Sequence, residues 1–140
     1  MPLWLIHHSP KILTDEDKHT LAQGITDLYT AAGLPAFYVR IHFHEMPMSD
    51  TFIGGKPHPK SVDLTIYHLA RVMTTDEQKK RFLDAVDAIL NPVFEPKGID
   101  WEYFVQELPR DLWKINGLVP PEARSEGEKE WVRLGRAAKF

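Results

Sequence analysis

The chain repeats itself. A shift of 61 residues lays Thr14-Asp15-Glu16 on Thr75-Asp76-Glu77, Lys18 on Lys79, Ile25 on Val86 and Leu28 on Ile89, and carries Leu3 and Leu5 onto Leu64 and Ile66. A shift of 62 lays Glu45-Met46-Pro47 on Glu107-Leu108-Pro109. Any two β-α-β segments share apolar periodicity, but not the same Thr-Asp-Glu start and the same Glu-apolar-Pro end, so the pattern reads as an internal duplication. In each copy a strand (residues 2–8 and 63–70) leads into a helix and then a second strand (38–44 and 101–106). Thr14 is an N-cap followed by acids that suit the positive end of a helix. Thr75 and Gln78 have the spacing of a capping box. Leu21, Ile25 and Leu28 form one apolar stripe and Phe82, Val86 and Ile89 the other. Gly33 with Pro35 ends the first helix, and residues 91–98, with two prolines, link the second helix to the last strand.

A strand, a helix of this length and a further strand make a crossover between parallel strands. Two such units predict an α/β (α+β) fold: a tandem β-α-β repeat whose four-stranded sheet carries two helices on one face. Repeat one covers residues 1–47, repeat two 62–109 and a C-terminal extension 110–140, all in one domain over 1–140. At 140 residues and 43% hydrophobic content the chain can bury a real core. Alternation along the strands directs Leu3, Leu5, Val39, Ile41 and Phe43 to the helices, and Pro2, Trp4, Ile6, His8, Arg40, His42 and His44 to the bare face. A bare face carrying Trp and Ile predicts that other subunits complete the burial.

Charge and composition exclude several classes. A net charge of -3 and a pI near 6.1 give no attraction to nucleic acid or an anionic membrane. With no cysteine there is no disulfide framework and no thiolate metal site. No basic segment leads into an apolar leader, and no apolar run approaches membrane-spanning length, which predicts a soluble cytoplasmic protein.

Pro2 follows Met1 directly. Removal of Met1 would leave a secondary amine at the start of a strand, able to act as a base or acid; the plainer reading is a proline that opens an edge strand, where a missing N–H costs nothing. His42 and His44 lie on one side of a strand, and Glu45 and His58 could join them on a metal, but no third ligand is firmly placed and no metal site is predicted. His42 instead lines the bare face, within reach of Pro2 or at a subunit contact. Arg40 is either a carboxylate anchor or half of an interface ion pair. Gly54-Gly55 is a turn, since no strand-to-helix pattern surrounds it. Residues 110–121 carry Leu112, Trp113, Ile115 and Leu118, and the charged tail from Glu122 has Trp131 and Leu134 on a short helix.

The Pro2 strand, Ala22-Gln23-Gly24-Ile25-Thr26-Asp27, Phe52-Ile53-Gly54-Gly55, Leu69-Ala70-Arg71, Tyr103-Phe104 and Glu107-Leu108-Pro109, in this order, resemble the tautomerase superfamily of 4-oxalocrotonate tautomerase and macrophage migration inhibitory factor. The closest likeness is to the branch of cis-3-chloroacrylic acid dehalogenase, whose long subunits form trimers. The resemblance implies that Pro2 is the catalytic base and that Arg71 is the first of two arginines holding a substrate carboxylate, with Thr74 where the second stands. Tyr29 replaces the first-helix histidine, Tyr103 or Phe104 takes the place of the catalytic tyrosine, and Lys114 or Ile115 stands where a water-activating glutamate belongs. It implies an isomerase, a keto–enol tautomerase of a 2-oxo acid or unsaturated carboxylate, working as a homotrimer without metal or organic cofactor. Arg71 would hold the carboxylate while Tyr29 or Tyr103 bonds the carbonyl oxygen, with Arg40, His42, Phe104 and Thr74 as further substrate contacts. The alternatives are a cis-3-haloacrylate dehalogenase or hydratase, and a non-catalytic binding protein on the same scaffold.

Overall fold

The computed structural model describes residues 1–140. Strand β1 (Leu3–His8) leads to helix α1 (Asp15–Ala31) and β2 (Arg40–Glu45). A small hairpin, β3 (Phe52–Ile53) and β4 (Lys56–Pro57), closes over Gly54-Gly55. Then come β5 (Ser61–His68), α2 (Asp76–Phe94), β6 (Asp100–Glu107) and, in the extension, α3 (Glu126–Leu134). The four long strands form one sheet in the order β2-β1-β5-β6. β1 and β2 run parallel, as do β5 and β6, and the two repeats meet where β1 pairs antiparallel with β5.

Both helices begin as the sequence predicts. The Thr14 hydroxyl accepts from the Asp17 N–H while the Asp17 carboxylate accepts from the Thr14 N–H, and Thr75 and Gln78 make the same reciprocal pair. Each box satisfies two of the donors that a helix start leaves unpaired. Gly33, at φ +85, supplies the left-handed turn that ends α1. Gly24 marks the close crossing of the helices, since a Cβ there would lie 3.2 Å from Ile89 Cγ2. The helix α2 runs further than the prolines suggest, through Pro92 to Phe94. Val93 and Phe94 are buried, and that apolar area offsets the hydrogen bond Pro92 cannot make.

The phase of β1 is the reverse of the sequence expectation. Trp4, Ile6 and His8 are fully buried against the helices, as is Pro2, and the Trp4 indole N–H donates to the Tyr29 hydroxyl of α1 at 3.1 Å. Leu3, Leu5 and His7 lie on the bare face, in register with Arg40, His42 and His44 of β2. Both parities of β1 are apolar, so alternation alone cannot choose between them; Trp4 and Ile6 take the covered side. Trp4 and Ile6 therefore play in β1 the part that Leu64 and Ile66 play in β5. The expectation for β2 holds, with Ile41 and Phe43 on the helix side. The bare face presents Leu3, Leu5, Thr65, Tyr67, Phe104 and three histidines, His7 stacking on His44 at 5.0 Å.

The extension packs on its own chain. Trp113, Ile115 and Trp131 are buried in the same core cluster as the residues of both repeats. Tyr38 lies edge-on to Trp113 at 5.0 Å and to Trp131 at 6.2 Å. The reversed phase makes a direct prediction: Trp4→Ala should cost about 3–5 kcal/mol, and Leu5→Ala, in dilute monomer, under half of that. Urea unfolding of both variants measures it.

Candidate active site

The start of β1 and the end of β5 lie side by side. The Pro2 carbonyl accepts from the Arg40 N–H at 2.9 Å, and continuing the β1–β5 register one step puts Pro2 across from His68. Beyond His68 the chain turns through Leu69 and Ala70 to Arg71, whose guanidinium is a junction. Nη1 donates to the Ala70 carbonyl at 2.9 Å, and Nη2 to the Ala32 carbonyl at 3.2 Å, satisfying an acceptor at the end of α1. The same two nitrogens make a fork to Glu128 of α3 at 3.1 and 2.9 Å. Glu128 also accepts from the Arg124 N–H at 2.7 Å and is 2% exposed. The arginine predicted to hold a substrate carboxylate thus already holds one from its own chain.

With Met1 attached, Pro2 contributes an amide nitrogen and the titrating amine belongs to Met1. Burial, then the charges of Arg110 and Arg71, push that amine down to about 4, against an upward pull from Glu128. His68 is buried with neither ring nitrogen partnered. Burial lowers its pKa, with the Glu107 carboxylate pulling the other way and the chain amine adding to the fall. Burial, with Glu128 beside it, pushes the Tyr38 phenol up to about 12.

Two cavities adjoin at Arg71 and Gln78. One, of about 310 Å³, lies between the helices, lined by Leu28, Tyr29, Met73 and Phe82 with His68 at its wall. The other, of about 380 Å³, is lined by Arg71, Arg110 and Arg124. Pro2 is buried and lines neither. Among the residues singled out by sequence, Tyr29, Arg71 and the chain start come together. Tyr29 is buried, its pKa raised by that burial, and its hydroxyl accepts from Trp4 while its own proton is unspent.

The others do not join them within the chain. Tyr103 faces α2, where its hydroxyl donates to Asp87 at 2.8 Å, and Phe104 points to the bare face, 59% exposed. The resemblance carried a tyrosine to this strand without fixing its side, and the pairing of Leu64 with Tyr103 sets it under α2. Thr74 is spent on the Gln78 side chain at the start of α2. Arg40 and His42 lie on the bare face, across the sheet from Pro2, because β1 has the opposite phase to the one expected. No group of three or more His, Asp or Glu side chains is placed to hold a metal ion. No helix is long and apolar enough to cross a membrane. The residues that sequence reasoning missed are His68, Glu128, Arg110 and Tyr38. The signals were present in Ser125 as an N-cap three residues before Glu128, and in Arg110 directly after the repeated Glu-apolar-Pro end.

Together, the duplicated β-α-β sheet and a buried chain start within the field of Arg110 and Arg71 define a tautomerase-type scaffold. The family model described as "Putative oxalocrotonate tautomerase enzyme" matches residues 1–136, and the chain belongs to that family. It is similar, at 64% identity and a TM-score of 0.97, to the crystal structure of "a probable enzyme from the thermophilic fungus Aspergillus fumigatus", over 100% of this chain and 98% of that one. It is 34% identical to RhCC from Rhodococcus jostii RHA1, over 99% of both chains, with a TM-score of 0.95. At the level of the fold it is similar to N1, a member of the cis-3-chloroacrylic acid dehalogenase family (21% identity, 92% and 89% covered, TM-score 0.68). A fused 4-OT described as an asymmetric trimer is 25% identical over 84% of this chain and 94% of that one, with a TM-score of 0.64. Comparison with curated proteins finds no match.

Two predictions follow from the geometry. Glu128→Ala leaves the Arg71 charge buried and unpaired and should cost about 3–5 kcal/mol, with α3 losing protection in hydrogen exchange. The second concerns pH. The folded chain binds fewer protons than the unfolded one at the amine, whose value falls from 8.0 to about 4, and at His68, whose shift has the same sign. Their contribution to stability is fully present above pH 8 and is lost as pH falls toward 4. Melting temperature should therefore fall steadily on acidification through that window, a trend that differential scanning calorimetry reads directly.

Proposed function

We propose that this protein is a keto–enol tautomerase that uses the Pro2 amine, freed by removal of Met1, as its general base and acid on a 2-oxo acid or related unsaturated carboxylate. The observation that carries the reading is the environment at the chain start, where burial and then the charges of Arg110 and Arg71 lower the basicity of the Met1 amine. A secondary amine one residue further in stands within the same field, and its greater intrinsic basicity keeps it a competent base as burial lowers it. Neutral Pro2 takes the enol hydroxyl proton, and the protonated amine returns a proton to the neighbouring carbon, so the amine ends as it began. Tyr29, with its proton unspent, supports the developing oxyanion. The reaction needs no metal or organic cofactor.

Hydration of a haloacrylate finds less support. Lys114 and Ile115 offer no base for water, and both oxygens of Glu128 are taken. A trimer, as named for the fused 4-OT relative, is the assembly we propose, with the bare face of Leu3, Leu5, Tyr67 and Phe104 as the surface it covers.

The test is ultraviolet-monitored ketonisation of phenylenolpyruvate by protein whose mass shows that Met1 is gone. Pro2→Ala should lower kcat/KM by about 10²–10⁴-fold, the usual worth of a positioned proton carrier. Full activity in that variant, or none in the Met1-free parent, rejects the reading.

A further inference from the structure

We infer that the substrate's carboxylate is received by Arg110, Tyr38 and Trp113, and not by Arg71. The inference deepens the tautomerase reading and rests on it. Arg71 cannot present a free fork, because both of its terminal nitrogens already bond Glu128. Displacing Glu128 would also strip it from the Arg124 N–H and leave a buried carboxylate with fewer donors.

A second set of donors is unspent. Arg110 Nη1, the Tyr38 hydroxyl and Trp113 Nε1 are all buried and all lack a hydrogen-bond partner, and Tyr38 and Trp113 are 0% and 6% exposed. Buried donors without partners are uncommon in folded proteins and each one costs stability. Three in one cluster point to a group that arrives with acceptors. They are neighbours: the Arg110 guanidinium lies over the Trp113 ring at 5.5 Å, and the Trp113 and Tyr38 rings are 5.0 Å apart. Arg110 is held in place from its other side, where Nη2 donates to the Pro120 carbonyl at 3.2 Å and to that of Pro121.

The charge balance selects an anion. Arg71 is neutralised by Glu128, whereas the acid nearest Arg110 is Glu122, 4.0 Å from its Nε and 89% exposed, where water screens it. Arg110 and Arg124 line the same cavity of about 380 Å³, whereas Tyr38 and Trp113 line neither it nor the cavity between the helices while Met1 is packed on the core. A carboxylate, with two oxygens and several lone pairs, can accept from the guanidinium, the phenol and the indole together. Arg110 also adds the strongest charge effect on the Met1 amine at the chain start.

The test separates binding from catalysis. Calorimetric titration of phenylpyruvate, run in the Pro2→Ala background as well as in the parent, needs no turnover and so stands if the tautomerase reading fails. Arg110→Gln should weaken binding by about 10–100-fold, as expected for one charge-assisted contact in a dry site, and remove the preference for the acid over its methyl ester. Tyr38→Phe deletes only an unpartnered hydroxyl, so it should leave the melting temperature unchanged or raised while weakening binding several-fold. Parent-like affinity in both variants overturns the inference, as does an equal loss of acid and ester binding in folded Arg110→Gln. In the active parent, Arg110→Gln should raise KM; a fall in kcat with KM unchanged rejects the assignment.

Discussion

The bidentate pair between Arg71 and Glu128 is the contact on which the site depends. It joins the end of β5, the last carbonyls of α1 and the first turn of α3 through one guanidinium. Burying two charges is expensive, and such a pair holds only when the remaining lone pairs and protons also find partners. Here they do for the carboxylate, which sits at the N-terminal turn of α3, takes the Arg124 N–H and gains from the helix dipole. The guanidinium keeps one unpartnered donor, Nε. The pair is therefore strong evidence of a fixed geometry and weak evidence of net stability. It fixes α3, and with it Trp131, against Tyr38, so the extension becomes a wall against the core.

That wall explains what could be read from residues and what could not. The duplication, the two capping boxes and the glycine at the end of α1 are local signals, carried by residues within a few positions of each other, and the structure has all of them. The phase of β1 was not legible, because Leu3 and Leu5 satisfy the covered side as well on paper as Trp4 and Ile6 do. Once that phase reverses, Arg40 and His42 move with it to the far face. Arg71 was legible through a short motif, but its partner Glu128 is 57 residues away, and no periodicity reports a contact at that separation. Arg110 and Tyr38 were hidden for the same reason: their roles depend on Trp113 and the folding back of the extension.

The environment of the amine also orders the chemistry. An amine is a useful base near pH 7 only if its cation is made costly, and the chain does this by burial first and by two arginines second. Of the two arginines, Arg71 is neutralised by Glu128, and Arg110 remains the charge that favours an acidic ligand.

A base for water must have a lone pair that is not already committed. The one carboxylate felt by the chain amine, Glu128, has both oxygens in bonds to Arg71 and Arg124. Each of those bonds occupies a lone pair that a water proton would need. Lys114 is exposed and Ile115 is apolar, so neither stands in. His68 has a free ring nitrogen, but it is buried, and activating a water there would require both water and space at the strand end beside Pro2. Proton transfer within one bound molecule asks for none of this: one neutral amine and an anchored acid suffice. The committed carboxylate of Glu128 supports the proposed isomerisation over addition of water.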